Sequence, residues 1–460
     1  MKVLVVQWHC LPLSVGHDNS AVCVAVALNQ PQAWLLLDCG WVPPELLPEQ
    51  PPQLAFCSHA HGEHSSGLAQ LRDLYPDLPI YTSEVTARLL APVYGEIFSP
   101  LPWCCPTEVA ENLWLELSPA GHLPGAACLA VSWGQHSLVY TGDFCLANTR
   151  FADGLRVSDL RGRSPDVLVM EGSLGALQRP PRRSQENRLV LRILEAIATG
   201  QSVLLPVPEL GTAQEILLVL RSHHQLTGKP LEILVDQAIA QVCDQYLGIL
   251  ADLPPAVQNF ARHQPLFFDS KIYPRVRQLP PDYLVQSPVI MVVSQGTNWQ
   301  DLAAQAGVLT LIVDHSTSPD FAYERYLFDL HSDLDGITQL AHNLKPQHLV
   351  LIHGQLEQLL ELASLRQLCD RYQVHCPSGG QNLALPLGRA WHRSKPKPLE
   401  QFSYGGEILE QEDLISLVLP AAISQDPHWR NFAETGLLEA YWQGDRLILR
   451  GISQQEWLQG

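Results

Sequence analysis

The sequence predicts an α/β fold with more than one domain, and three features of the chain support that prediction. Its 460 residues exceed what a single hydrophobic core usually organises. Residues 1–170 alternate short apolar segments with polar loops, which is typical of a sheet-rich, layered domain. From about Pro180 onward strands and helices alternate, which is the pattern of βα units on a parallel sheet.

The first part of the chain contains seven short apolar runs that favour β-strands. They are residues 3–6, 21–27, 34–37, 113–117, 129–133, 137–140 and 167–170. Each run is only four to seven residues long and is bounded by polar or glycine-containing segments. We therefore expect several short strands here, with occasional helices between them.

The second part favours longer helices between buried strands. Strands are expected at 202–206, 231–235 and 289–293, and helices at 187–199, 211–223 and 237–250. A helix at 335–343, a strand at 349–352 and a helix at 356–372 follow, and we expect these to return to the first domain. Successive prolines make residues 393–398 a linker. The tail beyond carries Trp429, Trp442 and Trp457, which favour a small core and leave a homo-oligomer contact open.

Composition excludes several classes of protein. The formal net charge of −18 argues against binding nucleic acid over the whole surface. A polyanion site would have to be local, and arginines concentrate at positions 150, 156, 161, 163, 179, 182, 183, 188 and 192. No apolar run approaches the ~20 residues of a membrane span, and no signal peptide is recognisable, so we expect a cytoplasmic protein without membrane contact. The 11 cysteines form no C-x-x-C pair, which favours reduced core residues.

A cluster of metal-ligating side chains directly follows one expected strand. Ser58-His59-Ala60-His61-Gly62-Glu63-His64 comes after the apolar run 54–57. Histidines two apart on an extended loop can both reach one ion, while the carboxylate and the last histidine can reach a second. Polar groups at the end of a buried strand are costly unless something binds them. The cluster therefore predicts a metal site.

Three other potential ligands follow strands in the same way, beside glycines that let the backbone approach closely. They are His122, Asp143 and His353. We expect two ligand sets, which are His59, His61 and His122 for one ion and Glu63, His64 and His353 for the other, with Asp143 between them. Two ions about 4 Å apart can share a hydroxide and act together on a phosphorus or carbonyl centre.

With these motifs in this order, the chain resembles the β-CASP nucleases of the metallo-β-lactamase superfamily, which include ribonuclease J and the endonuclease that cleaves pre-mRNA 3′ ends. Leu37-Asp38-Cys39-Gly40 resembles the first motif of the family, and the histidine cluster resembles H-x-H-x-D-H. The resemblance implies that Asp38 orients the metal histidines. It also implies two divalent ions, most often zinc.

Three later segments resemble the motifs that set β-CASP proteins apart. They are Val169-Met170-Glu171-Gly172-Ser173, Asp329-Leu330-His331-Ser332-Asp333 and Ile352-His353-Gly354. The resemblance implies that His331 donates a proton to the leaving oxygen and that Glu171 orients its imidazole. A histidine at position 353 accompanies family members that cleave RNA, so the implied partner is single-stranded RNA.

The resemblance also implies a domain plan and a fold. The fold is an αββα sandwich into which a cap domain, a parallel sheet flanked by helices, is inserted. Residues 1–175 and 331–392 would form the metallo-β-lactamase domain, residues 176–330 the β-CASP cap, and residues 393–460 a linker with a small C-terminal extension. The expected function is a metal-dependent ribonuclease for RNA processing or decay, in which a metal-bound hydroxide attacks the phosphodiester.

Departures from the family pattern keep other interpretations open. Glu63 stands where the family has aspartate, and the extra methylene exceeds the ~0.5 Å that catalytic sites tolerate. Thr212 replaces a common arginine, and Ser294-Gln295-Gly296-Thr297 replaces a glycine-rich turn. These changes weaken the expected grip on phosphate and favour, as an alternative, a non-catalytic β-CASP subunit that binds RNA or a partner. A metallohydrolase acting on a small ester or thioester is a third interpretation.

Overall fold

The computed structural model of the chain describes residues 6–16, 21–29, 34–286, 288–314, 323–328 and 330–388, with the backbone of four later strands. The chain divides into two compact units, Met1–Trp391 and His392–Gly460. Several expectations lie outside the described residues. They concern residues 3–5 of the strand expected at 3–6, Asp329, the linker at 393–398, and the side chains of Trp429, Trp442 and Trp457.

The first unit contains twenty described strands. In chain order they are β1 (Gln7–Val15), β2 (Val22–Leu28), β3 (Trp34–Leu37), β4 (Pro52–Phe56), β5 (Ile80–Ser83), β6 (Phe98–Leu101), β7 (Thr107–Ala110), β8 (Leu113–Pro119), β9 (Ala127–Trp133), β10 (His136–Tyr140), β11 (Val167–Glu171), β12 (Ser202–Val207), β13 (Glu232–Val235), β14 (Arg275–Gln278), β15 (Ile290–Ser294), β16 (Val308–Asp314), β17 (Glu324–Leu327), β18 (His348–Ile352), β19 (Gln373–His375) and β20 (Leu383–Pro386).

Twelve described α-helices lie between these strands. They are α1 (Gly62–Ser65), α2 (Leu68–Leu74), α3 (Glu84–Tyr94), α4 (Val157–Leu160), α5 (Arg182–Ala198), α6 (Thr212–Ser222), α7 (Gln237–Gly248), α8 (Pro255–His263), α9 (Gln300–Ala303), α10 (Leu334–Leu344), α11 (Leu356–Ser364) and α12 (Arg366–Cys369). The mixed α/β fold expected from the sequence is confirmed.

Two seven-stranded sheets form a sandwich. One has the order β20-β1-β2-β3-β4-β5-β6 and the other the order β19-β18-β11-β10-β9-β8-β7. The core between them joins Leu37 and Phe56 of the first sheet to Leu129 and Tyr140 of the second. Helices cover the outer faces. Leu71 of α2 belongs to the layer on the first sheet, while α10 and α11 pack on the second. The layers therefore run helix, sheet, sheet, helix.

A third sheet of six strands, all parallel, occupies residues 202–327 in the order β14-β13-β15-β12-β16-β17. Its core includes Val203 and Val292 from the strands, with Leu189 from α5 and Ile216 from α6. A smaller apolar cluster covers the opposite face. Because both faces of a parallel sheet are covered, its strands are almost continuously apolar, as β12 and β15 are.

Most expected elements agree with the observed ones. The first described strand, β1, lies at Gln7–Val15, where the sequence predicted none, and Val6 of the strand expected at 3–6 is not in a strand. The helix expected at 187–199 begins earlier, at Arg182, directly after Pro181. The single helix expected at 356–372 is wrong, because Leu365 adopts an extended conformation with ψ 124° and separates α11 from α12. Leu365 belongs to the apolar cluster on the second sheet, so tertiary packing overrides the helical pattern there.

Side-chain caps define the starts of several helices. The carboxylate of Asp333 accepts a hydrogen bond from the backbone N–H of Gly336 at α10, and Asp236 accepts one from Ile239 at α7. Each bond satisfies a donor that the first helical turn leaves without a partner. The cap at Asp333 fixes the chain two residues after His331.

The second unit is described only as backbone. Two antiparallel pairs are present there, β21 (Glu407–Gln411) with β22 (Leu414–Val418) and β23 (Leu438–Gln443) with β24 (Arg446–Gly451). Among the helices that the structure describes, none is both long and apolar enough to cross a membrane.

Candidate metal centre

The histidine-rich loop lies where β4 leaves the first sheet. β4 is paired in parallel with β3 and β5, so its carboxyl end meets the loops that follow the neighbouring strands. His59 is fully buried, whereas His61 is partly exposed and precedes the short helix α1. The residues of this loop therefore point into a common edge of the sandwich.

One group of four ligand atoms converges around His61. Its Nδ1 atom lies 3.1 Å from Nε2 of His59 and 3.1 Å from Nε2 of His122. Oδ2 of Asp143 lies 3.5 Å from the His59 atom and 3.8 Å from the His122 atom. Three imidazole nitrogens and a carboxylate oxygen within 4.8 Å of one another match the ligand chemistry of a zinc-type ion.

A buried carboxylate sets the tautomers of two histidines. His59 donates from Nδ1 to Oγ of Ser58 (2.9 Å), and that hydroxyl donates to Oδ2 of Asp38 (2.8 Å). His64 donates from Nδ1 to the same oxygen at 2.6 Å, and Tyr140 donates to it at 2.5 Å. The Nε2 lone pairs of both imidazoles are thereby kept for another partner.

Backbone carbonyls set the tautomers of the other two histidines of the first group. Nε2 of His61 donates to the carbonyl of Leu210 at 3.2 Å, which leaves a lone pair on Nδ1. Nδ1 of His122 donates to the carbonyl of Leu330 at 2.9 Å, which leaves Nε2. These carbonyls belong to the segments just after β12 and just after β17. The third sheet therefore contributes to the orientation of ligands held by the sandwich.

A second group comprises Glu63, His64, Asp143 and His353, again within 4.8 Å. Nε2 of His64 lies 3.2 Å from Oδ2 of Asp143, and Nδ1 of His353 lies 3.6 Å from Oδ1. Within the described part of the chain, both oxygens of Asp143 and the Nε2 atoms of His64 and His353 are buried without a hydrogen-bond partner. Such atoms are costly unless a cation binds them, so the donor set fits a divalent ion.

Glu63 is the least buried member of the second group. Its side chain is 35% exposed, and Oε1 lies 3.6 Å from Nδ1 of His61, a ligand of the first group. Burial alone would raise the pKa of the Glu63 carboxyl, but His61 and His64 outweigh that effect and lower it. The carboxylate is therefore ionised at the mouth of the site.

Beside both groups lies a carboxylate–imidazole pair. Nδ1 of His331 donates to Oε2 of Glu171 at 2.8 Å, and the backbone N–H of Phe144 donates to Oε1 at 2.7 Å. Oε2 also accepts from the hydroxyl of Ser173, which in turn lies 2.7 Å from Nδ1 of His353. Glu171 thus orients His331 directly and His353 through Ser173.

Burial and neighbouring charges shift the pKa values of several groups in the centre. Burial would raise the pKa of Asp143, but the neighbouring imidazoles of His353, His64 and His331 lower it well below the ordinary value. Burial lowers the pKa of His122 well below its ordinary value, and His331 adds to that shift. Burial likewise lowers the pKa of His59, whereas Asp143 and Asp38 outweigh burial at His64 and raise its pKa well above the ordinary value. An ion bound at Nε2 of His64 would therefore have to displace a proton.

Strained backbone accompanies two of these residues. Asp38 and His353 have positive φ angles of 57° and 55°, a region that favours glycine. The N–H of His353 donates to the carbonyl of Val15 at 2.7 Å, and a Cβ atom at Gly16 would lie 2.6 Å from the His353 ring. The close approach of β1 therefore requires glycine at position 16 and holds His353 in place.

A cavity of about 400 Å³ opens above the centre. The sandwich contributes Ala60, His61, Gly62, Glu63 and His122, and the segments around the third sheet contribute Pro208, Glu209, Leu210, Thr212, Val242, Ser294, Gln295, Gly296, Phe328, Leu330 and His331. The described lining contains neither Lys nor Arg. It does contain Glu209, whose Oε1 accepts a hydrogen bond from Oγ of Ser294 at 2.5 Å. We call this cavity the metal cleft.

The structure brings together every site residue that the sequence singled out. They are Asp38, His59, His61, Glu63, His64, His122, Asp143, Glu171, His331 and His353. Sequence reasoning missed Tyr140, the roles of the hydroxyls of Ser58 and Ser173, and the carbonyls of Leu210 and Leu330. Both serines lie within two residues of a predicted site residue, which is the only signal the sequence offered for them. The carbonyls carry no signal, because every residue has one.

The sequence is similar to a known superfamily and to several known proteins. A model of the metallo-beta-lactamase superfamily matches residues 19–192. Uncharacterized protein sll0514 of Synechocystis sp. is 40% identical, over 97% of this chain and 87% of its own. Integrator complex subunit 11 of Danio rerio is 21% identical, over 81% of this chain and 73% of its own. The protein named "Probable RNase MJ4" of Methanocaldococcus jannaschii is 28% identical, over 37% of this chain and 45% of its own.

Proposed function

Because this chain belongs to the β-CASP family of the metallo-β-lactamase superfamily, we propose that it is a metal-dependent ribonuclease that hydrolyses RNA phosphodiester bonds. The observation that carries the proposal is the overlap of three groups on one buried carboxylate. Asp143 is shared by the two ligand groups and by the group that contains Glu171 and His331. Metal ligands and a proton-transfer pair therefore face the same point in space.

The two ligand groups suit two divalent ions, and their nitrogen-rich composition favours zinc. His59, His61 and His122 would hold one ion, Glu63, His64 and His353 the other, and Asp143 would serve both. When bound, such ions activate water and stabilise charge on the scissile phosphate. Asp38 would act as a positioning residue, since it fixes the tautomer of His64 directly and that of His59 through Ser58.

The remaining chemistry falls to His331. Its ring lies in the lining of the metal cleft, and Glu171 holds the proton on Nδ1. The imidazole can then carry a second proton on Nε2 and deliver it to the leaving oxygen of the RNA. Glu171 favours that protonated form, because its carboxylate compensates the positive charge.

The relative named as an RNase supports RNA as the substrate, and so does His353, since histidine at this position accompanies RNA-cleaving members of the family. Residues 176–330 would act as a cap over the metal cleft, residues 1–175 and 331–392 as the catalytic domain, and residues 393–460 as an extension. We propose that the enzyme acts on single-stranded RNA in the cytoplasm, in processing or decay.

One observation favours the second candidate, a non-catalytic β-CASP subunit that binds RNA or a partner. The family's aspartate is replaced by Glu63, which is partly exposed and lies beside the first ligand group. A weakly held second ion would leave less positive charge to activate water and to stabilise the scissile phosphate.

Metal content and RNA cleavage together decide between the two candidates. Wild type, His331→Ala and the exposed control His263→Ala are incubated with labelled single-stranded RNA after loading with Zn²⁺ or Mn²⁺. We expect cleavage by wild type and by His263→Ala, with a loss of about 10²–10⁴ in kcat for His331→Ala. Fewer than one ion per chain and no cleavage by wild type would instead establish the non-catalytic subunit.

A further inference from the structure

A second cavity lies away from the metal ligands, between the first turns of α5, the loop 148–150 and the end of α6. Its volume is about 500 Å³, within the range of ligand sites. Arg150, Arg182, Arg183, His223 and His224 line it. We propose that this cavity, here called the arginine cavity, binds a phosphate group of the RNA chain beyond the cleaved bond. The proposal rests on RNA being the substrate.

Two of the arginines are anchored and still reach the cavity. Nη2 of Arg150 lies 2.7 Å from Oε2 of Glu186, and Nη2 of Arg182 lies 2.6 Å from Oε2 of Glu215. Arg182 also donates from Nε to Glu186 at 3.2 Å. The side chains of Arg150 and Arg182 remain 31% and 22% exposed. Guanidinium groups fixed on one side by carboxylates are pre-organised to donate to a phosphate on the other.

The positive charge in the cavity exceeds the negative charge. Arg183 is exposed at its rim, and Glu186 is the one carboxylate among the described lining residues. Glu215 lies behind the cavity, where Oε1 accepts the backbone N–H groups of Arg150 and Phe151. Two carboxylates therefore face three guanidinium groups, in a protein whose formal net charge is −18. A phosphate group would neutralise the remaining positive charge.

Histidines extend the same wall. His223 and His224 are stacked with ring centroids 4.5 Å apart, and Nε2 of His223 lies 3.0 Å from Oδ1 of Asn187. Burial lowers the pKa of His223, His224 lowers it further, and Glu186 opposes the shift. Arg150 and Arg183 also lower it, which reflects the positive potential of the cavity.

The direction of α5 adds to that potential. The helix runs for 17 residues, and its first turn, which forms part of the cavity, contains no acidic residue. The N-terminus of a helix of this length carries a partial positive charge that favours anions. The guanidinium groups and the helix dipole therefore act on the same ligand.

A contact between Arg182 and Phe328 connects the linings of the arginine cavity and the metal cleft. The guanidinium group of Arg182 lies 5.7 Å from the ring centroid of Phe328, and Phe328 also lines the metal cleft beside His331. The metal cleft has no Lys or Arg in its described lining, whereas Arg182 lies only one side chain away from it. We therefore assign the arginine cavity to a phosphate of a strand that continues from the cleft.

The test compares Arg183→Glu with Arg262→Glu, which changes the same charge at an exposed position outside the cavity. Binding of single-stranded RNA is measured with the full chain, loaded with metal and carrying His331→Ala to prevent cleavage. We expect Arg183→Glu to weaken binding about tenfold. A plot of log affinity against log salt should lose about 0.7 in slope, the contribution of one phosphate contact to a single strand. Arg262→Glu should leave the affinity and the slope unchanged. A dinucleotide too short to reach the cavity should bind with the same affinity whether or not the chain carries Arg183→Glu.

Equal affinities and slopes for Arg183→Glu and Arg262→Glu would overturn the proposal. It would also be overturned if inorganic phosphate or a nucleoside monophosphate bound in an Arg183-dependent way while RNA affinity stayed unchanged, because the cavity would then serve a free phosphate compound. If the chain with His331 intact cleaves no RNA but Arg183→Glu still weakens RNA binding, only the ribonuclease proposal fails.

Discussion

Nδ1 of His331 donates to Oε2 of Glu171 across 2.8 Å, and both side chains are buried. We expect Glu171→Gln to lower kcat for RNA cleavage by about 10²–10⁴, because the amide cannot stabilise a protonated imidazole. KM should change much less. Steady-state kinetics on a labelled RNA, with zinc content measured on the same samples, check this. An unchanged kcat in a fully metallated variant would remove Glu171 from the mechanism.

Ser173→Ala tests whether the hydroxyl between Glu171 and His353 supports the second ligand group. It should lower the affinity of the second ion by about 10–100-fold, as loss of a partner that orients a ligand usually does. The first ion should be unaffected, since its ligands are oriented by Ser58 and by two carbonyls. Competition with a chelator, followed by metal analysis, measures both affinities separately. Equal weakening of the two sites would contradict this separation.

Glu63→Asp restores the shorter side chain of the family at the second ligand group. We expect second-site affinity to rise about tenfold, or about 1.4 kcal/mol, because the carboxylate would move away from His61. RNA cleavage at limiting metal should rise with it. Calorimetric titration with Zn²⁺ compares the variant with wild type, and Glu45→Asp provides a matched change at an exposed position. A fall in affinity would show that the glutamate is adapted to this site.

Glu209→Ala removes one of the two carboxylates, Glu63 and Glu209, in the described lining of the metal cleft. A carboxylate about 4 Å from a phosphate in water opposes binding by about 1 kcal/mol, so we expect KM for RNA to fall about fivefold. The effect should shrink at high salt. Glu361→Ala, at an exposed position of α11, changes the same charge elsewhere. If KM rises instead, Glu209 contacts the substrate favourably, for example through a ribose hydroxyl.

A histidine pair predicts how stability depends on pH. His348 donates from Nε2 to the carbonyl of Pro386 at 3.0 Å and accepts at Nδ1 from His375 at 3.1 Å. Burial lowers the pKa of both histidines below the ordinary value of 6.5, so both are neutral in the folded protein. The unfolded chain binds protons more readily. Stability should therefore be complete above pH 6.5 and decrease as the pH falls below that value.

Thermal unfolding of wild type and His375→Gln between pH 8 and pH 5 checks that dependence. Glutamine can still donate to His348 but does not titrate, so the variant should lose less stability on acidification. Parallel curves for the two proteins would show that acid sensitivity arises elsewhere, for example from the metal ligands.

The sequence was sufficient to predict residues whose chemistry is unusual in their context. His59, His64 and Asp143 follow strand ends, where a polar cluster needs a ligand, and parallel strands bring those ends together. The α/β alternation also predicted the third sheet. The break at Leu365 could not be predicted, because it depends on packing against the second sheet.

The residues of the arginine cavity could not be predicted from the sequence either. Arg150, Arg182 and Arg183 were three of nine arginines that the sequence singled out as one group. The structure separates these three from other members of the group, because Arg163 is paired with Glu116 and Arg192 with Glu324. Which arginines meet around one space depends on the fold, and composition alone cannot show it.

The carbonyls of Leu210 and Leu330 lie just beyond β12 and β17 of the third sheet, and each holds one histidine of the first ligand group. The affinity of the first ligand group for an ion and the position of the third sheet should therefore be thermodynamically linked. We expect a displacement of this sheet that breaks either hydrogen bond to weaken the first site, and an ion bound there to favour the arrangement that keeps both.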